Sequence, residues 1–176
     1  VLPRHRRSAR APAQARFDDV VATLANVIAD FDPQVLITYD MAGTYGHPDH
    51  KMVHTASMAA IPLVEARTGR ELIVWESVTE HSALHQGLAS ARSVPDGWRM
   101  PEAGELPSYA DDEIDAAIDI SAVYDRKVEG LRAHATQVTV APSGTEYALS
   151  NNILQPIMSD EHFALRSSRD RLTSGR

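Results

Sequence analysis

The chain contains no cysteine, so neither a disulfide framework nor a thiolate metal site is open to it. No stretch approaches ~18 consecutive apolar residues, which excludes a membrane-spanning helix. Positive charge is scarce: 17 Lys and Arg face 24 Asp and Glu, a net charge of −7. That balance argues against a nucleic-acid partner, whose binding needs a basic surface to displace counterions. There is no internal repeat. What remains is 176 residues, 43% of them hydrophobic, enough for one domain with a real core. Residues 1–14, with Arg4, Arg6, Arg7 and Arg10 among Ala and Pro, read as a basic linker or loop remnant. No apolar segment follows those charges, so a signal peptide is not indicated. A cytoplasmic protein is the natural expectation.

Against this background one stretch stands out, Thr44-Tyr45-Gly46-His47-Pro48-Asp49-His50. Two imidazoles and a carboxylate fall within four residues, after the β-rich run Gln34–Tyr39 and before a helical pattern from Pro48 to about Ala66. Proline suits a first helical turn, where its missing N–H has no partner to lose. The run reads as a buried parallel strand, and in open α/β sheets ligands bind at the carboxyl ends of such strands. Imidazole is a common zinc ligand, and a catalytic zinc takes three protein ligands with one position open for water. His47 and His50 can face one space, and Asp49 can fix an imidazole tautomer through a hydrogen bond. The plainer alternative is a polar helix start, with Asp49 favoured there by the helix dipole.

The rest of the chain supplies a frame for this loop. Phe17, Val20, Val21, Leu24, Val27 and Ile28 predict a helix over about 15–30, stopped at Asp32-Pro33. His54 shares a helix face with His50 and reads as a structural or exposed histidine. Leu72–Glu76 is the second strand, and His81 and His85 follow at a spacing that suits either zinc or a solvated face. Residues 91–112, broken by Pro95, Gly97, Pro101, Gly104 and Pro107, read as a long surface loop in which Trp98 and Tyr109 cover a ligand or pin the chain. Ala116–Ser121 is a strand, with a helix to about His134 burying Val123, Val128 and Leu131. Pro142-Ser143-Gly144 is a turn, and His162–Leu165 is a final strand. Residues 166–176 read as a polar tail, leaving 15–165 as a single domain.

Gly46-His47-Pro48-Asp49-His50, with Thr38-Tyr39-Asp40 and Tyr45 ahead of it, resembles the second signature of the zinc-dependent N-deacetylases related to PIG-L and LmbE. Lys127, Ala133–Gln137, Ala148–Asn152 and Glu161-His162-Phe163 extend the resemblance toward the subgroup of mycothiol biosynthesis, which acts on N-acetylglucosaminyl-inositol. The family's first signature, Ala-His-Pro-Asp-Asp-Glu, supplies a His and an Asp to the metal and the Asp that serves as general base, and it does not occur in this chain. The resemblance therefore implies an α/β, Rossmann-like fold with a mostly parallel sheet, N-terminally truncated.

It further implies that His50 ligates zinc, with another divalent ion such as iron(II) as the alternative. His47, held by Asp49, and Tyr45 would stand beside the oxyanion, while His134, Gln137 and Asn151 would meet the sugar. The implied partner is a small N-acetylated amino sugar, with neither nucleic acid nor membrane, and an oligomer is open. Other readings are an amidase acting on mycothiol S-conjugates and a non-catalytic carbohydrate-binding module.

Overall fold

A computed structural model describes residues 16–166; the basic stretch at 1–14 and the tail from 167 onward lie outside the described residues. The chain divides into two compact units, one holding residues 16–76 and 166 of those described, the other 77–165.

The first unit opens with α1 (Phe17–Phe31), whose first turn carries Asp18 and Asp19 where the helix dipole favours negative charge. It ends at Asp32, which takes a left-handed conformation (φ 51°) before Pro33. Strand β1 (Val35–Tyr39) follows, then the motif loop, then α2 (Pro48–Thr68), closed by Gly69 at φ 68°. Strand β2 (Ile73–Val78) lies beside β1. Ala25 and Ile28 of α1, Ala60, Ile61 and Val64 of α2, and Leu72 and Val74 form one core, with Leu36 packed against it. Leu36 and Thr38 turn toward the helices, as the period of two in a strand requires.

The opposite face of this pair differs from expectation. Gln34–Tyr39 reads as a strand buried on both sides, yet Val35 and Ile37 are 44% and 57% exposed, and Ile73 is 50% exposed. Both helices of the unit cover the same face, and β2 is the only neighbour of β1 among the described residues. An apolar face beside an open strand edge favours association. The isolated 176-residue chain is therefore expected to sediment as species larger than a monomer, and Ile37→Lys to shift it toward the monomer. A wild-type chain that sediments as a monomer at all concentrations would refute this.

The second unit is built of short elements. Helix α3 (His81–Ser90) leads into the long loop, and β3 (Ala116–Asp119) precedes α4 (Tyr124–Ala133). Then come β4 (Val138–Val140), β5 (Glu146–Leu149), β6 (Leu154–Pro156) and β7 (Asp160–Arg166). The pairing corrects the mostly parallel sheet expected from the resemblance. Strand β3 runs antiparallel to β7, with Ala116 opposite Phe163, and β4, β5 and β6 form an antiparallel meander. Short turns such as 141–145 join the meander strands directly, a connection that parallel strands cannot use. Leu84, Val128, Ala148, Leu154 and Ala164 are buried here, whereas Val123 is 44% exposed because it ends a short 3₁₀ turn ahead of α4. Arg166 belongs to β7 and not to the tail.

Candidate active site

The motif loop is shaped by Asp40, the buried residue just past β1. Its backbone carbonyl accepts from Gly43 N at 3.0 Å, and its side-chain Oδ1 accepts from Thr44 N at 2.5 Å. The second bond holds Thr44 at φ 61°, a conformation that β-branched residues rarely adopt. Gly43 sits at φ 69°, and a Cβ on it would lie 2.7 Å from Lys51 Cγ and 2.9 Å from Lys51 N. Gly43→Ala is accordingly expected to cost at least ~1 kcal/mol, from the left-handed backbone alone, read as a lower urea midpoint. An unchanged midpoint would show that the loop yields freely.

The loop delivers His47 as the N-cap of α2, and His47 Nδ1 accepts the backbone N–H of Asp49 at 3.1 Å. Asp49 thus meets His47 through its main chain, which makes Nδ1 an acceptor and leaves the ring proton of the neutral form on Nε2. One turn on, His50 stacks on Tyr39, with ring centroids 3.9 Å apart and planes 5° from parallel. The rings of His47 and His50 stand 4.7 Å apart, and Tyr45 approaches both edge-on, at 5.9 and 5.4 Å. His50 Nδ1 is buried and has no hydrogen-bond partner. Burial lowers the His50 pKa, His47 nearby lowers it further, and the Gly43 carbonyl, Asp49 and Asp40 pull the other way. A neutral imidazole with an unpartnered buried nitrogen is what a metal ligand requires. The residues present fit one ligand: among the described residues no group of three or more His, Asp or Glu is arranged to hold a metal.

Sequence reading missed the layer beneath. His54 is buried, and its Nδ1 lies 2.9 Å from the Tyr39 carbonyl and 3.4 Å from Glu76 Oε1. Glu76, only 2% exposed, accepts from Arg166 Nε at 3.0 Å. Burial raises the Glu76 pKa above the usual glutamate value, against the pull of Arg166 and His54. A carboxylate two residues after Val74, in the buried phase of a strand, was the available signal.

The remaining candidates lie in the second unit. His134 and Gln137 are exposed at the end of α4, and His134 Nδ1 pairs with the Gly130 carbonyl at 2.8 Å. Asn151 is exposed in the turn after β5, where its Oδ1 accepts from Ile153 N at 3.2 Å. Val138 pairs with Leu149, so Gln137 and Asn151 share one end of the meander. His81 and His85 are exposed, their rings 4.3 Å apart, and His81 Nδ1 lies 3.0 Å from Ser108 Oγ. Tyr109 pins the long loop through main-chain bonds to Thr79 and His81.

Residues 7–61 match the protein family described as PIG-L: GlcNAc-PI de-N-acetylase. A protein of Gordonia bronchialis named 1D-myo-inositol 2-acetamido-2-deoxy-alpha-D-glucopyranoside deacetylase is 62% identical over 158 residues, covering 89% of this chain and 56% of that protein. Proteins of the same name from Rhodococcus jostii and Mycolicibacterium smegmatis are 50% identical over 163 residues and 41% over 156, covering 56% and 53% of their own lengths. The chain spans about half the length of the curated relatives it matches. The family match takes in the loop just described, and the similarity to the Gordonia protein extends over 89% of this chain.

Proposed function

We propose that this chain is part of a metal-dependent N-deacetylase that hydrolyses the acetamide of an N-acetylglucosaminyl-inositol. The observation that carries the reading is the cluster of His47, His50 and Tyr45 past the end of β1, with a buried His50 nitrogen that has no protein partner. The names of the relatives supply the substrate class. No helix among the described residues is long and apolar enough to cross a membrane, in keeping with a small polar substrate.

In this reading His50 contributes one ligand, and zinc or a comparable divalent ion, when bound, would polarise the acetamide carbonyl and acidify a water. Water adds to the carbonyl carbon, the C–N bond breaks, and acetate and a free amine leave. His47 has Nδ1 engaged by the Asp49 amide, so its Nε2–H is the group to donate a hydrogen bond to the oxyanion. The exposed Tyr45 O–H gives a second hydrogen bond, and Asp49 sets the tautomer of His47 through its main chain. His134, Gln137 and Asn151 are proposed to meet the sugar hydroxyls. The described residues offer one ligand, so the activity is assigned to the whole protein and not to this chain by itself. The test is amine release from N-acetylglucosaminyl-inositol by the full-length protein, with and without chelator. Release that a chelator leaves untouched would overturn the metal, and no release from any N-acetylated amino sugar would overturn the substrate class.

A further inference from the structure

A metal-ligating imidazole serves only if its ring is held in one direction. Against the His50 ring lies Tyr39, stacked 3.9 Å away and nearly parallel, with the Gly43 carbonyl also beside the imidazole. Through the stacking, the direction of the His50 ring depends on where Tyr39 is held. Tyr39 is the last residue of β1, the point at which strand pairing gives way to the loop. Its carbonyl is met by His54, and because a carbonyl only accepts, His54 Nδ1 carries the proton at 2.9 Å. His54 is buried and set in turn by Glu76, 3.4 Å from the same nitrogen, and Glu76 is tied to Arg166. His50 and His54 lie one turn apart on α2, so one helix face carries both the stacked ring and the group that fixes its platform.

We propose that His54 is a positioning residue, which fixes the Tyr39 carbonyl and thereby holds the Tyr39 ring against His50. It touches neither substrate nor reacting atoms. The assignment of His50 as a ligand rests on the function proposed above, but the positioning of its ring is measured independently of any activity.

The experiment is NMR of the full-length protein with labelled histidines, using His50→Gln to identify the His50 ring signals. In the wild type those ring protons are expected upfield of an unstacked histidine through the Tyr39 ring current, and Tyr39→Leu gives the position without it. His54→Leu should move the His50 signals to the Tyr39→Leu position. His54→Asn, whose amide nitrogen falls where Nδ1 stood, should leave them at the wild-type position. If His54→Leu leaves the signals in place, or His54→Asn displaces them as far as His54→Leu, the proposal fails. A measurement needing no variant stands beside these: the nitrogen shifts of wild-type His54 must show the Nδ1–H tautomer, and an Nε2–H tautomer overturns the inference. A full-length protein that releases no amine while these shifts behave as expected would refute the function and leave the positioning intact.

Discussion

In the full-length protein, His47→Ala is expected to lower amide hydrolysis by about 10²–10³-fold with its metal retained, the usual cost of one lost oxyanion donor. His50→Ala is expected to lose metal and turnover together. The two rings stand only 4.7 Å apart, yet their surroundings separate them. His47 caps a helix and has Nδ1 committed to the Asp49 amide, so it presents a proton on its other nitrogen. His50 has a buried nitrogen without a partner and a pKa lowered by burial, so it presents a lone pair. A donor serves the developing charge, and a lone pair serves a cation. Metal content by elemental analysis and amine release by derivatisation read the two roles separately. If His47→Ala sheds its metal, or keeps wild-type turnover, the division is wrong. Tyr45→Phe, which removes only the hydroxyl, should fall between wild type and His47→Ala in turnover.

How much of this was legible beforehand follows from the range of the interactions concerned. The strand, loop and helix around His47 are local in sequence, and Pro48, Gly43 and the apolar spacing of Ala56, Ala60 and Val64 announce them without any tertiary contact. His50 was legible for the same reason. The antiparallel meander was not: strands of three or four residues are too short to display a period, and their pairing is decided by turns. The open face of β1 was hidden because Val35, Leu36 and Ile37 are apolar in succession, and only packing shows which of them the helices cover. The ion pair of Glu76 with Arg166 joins positions far apart in the chain, and Arg166 follows an apolar run much as any polar terminus does. His54 was recognised as sharing a face with His50, but its partner is a main-chain carbonyl, and no side-chain motif records that.

Arg166→Met is expected to destabilise the chain by about 2–3 kcal/mol at pH 7, and by less at pH 5. Removing one partner of a fully buried pair costs about 3–5 kcal/mol; here the figure is lower because the Arg166 side chain keeps 41% of its exposure. The pH dependence follows from Glu76. Burial raises its pKa in the folded protein, so the folded state holds a proton that the unfolded chain releases at its ordinary value. Stability contributed by that proton is present below the ordinary glutamate pKa and is lost as pH rises through the raised one. Arg166 is the main group opposing the rise, so its loss moves the folded pKa further up and widens the window of lost stability toward neutrality. Acidification protonates Glu76 and removes the uncompensated charge, which is why the penalty shrinks at pH 5. Urea unfolding of wild type, Arg166→Met and the pair Arg166→Met with Glu76→Gln at both pH values separates the terms. The double variant, carrying no charge at either position, should show a penalty that does not change between the two. A cost for Arg166→Met that is equal at pH 5 and pH 7 would show that Arg166 acts through packing and not through the Glu76 carboxylate.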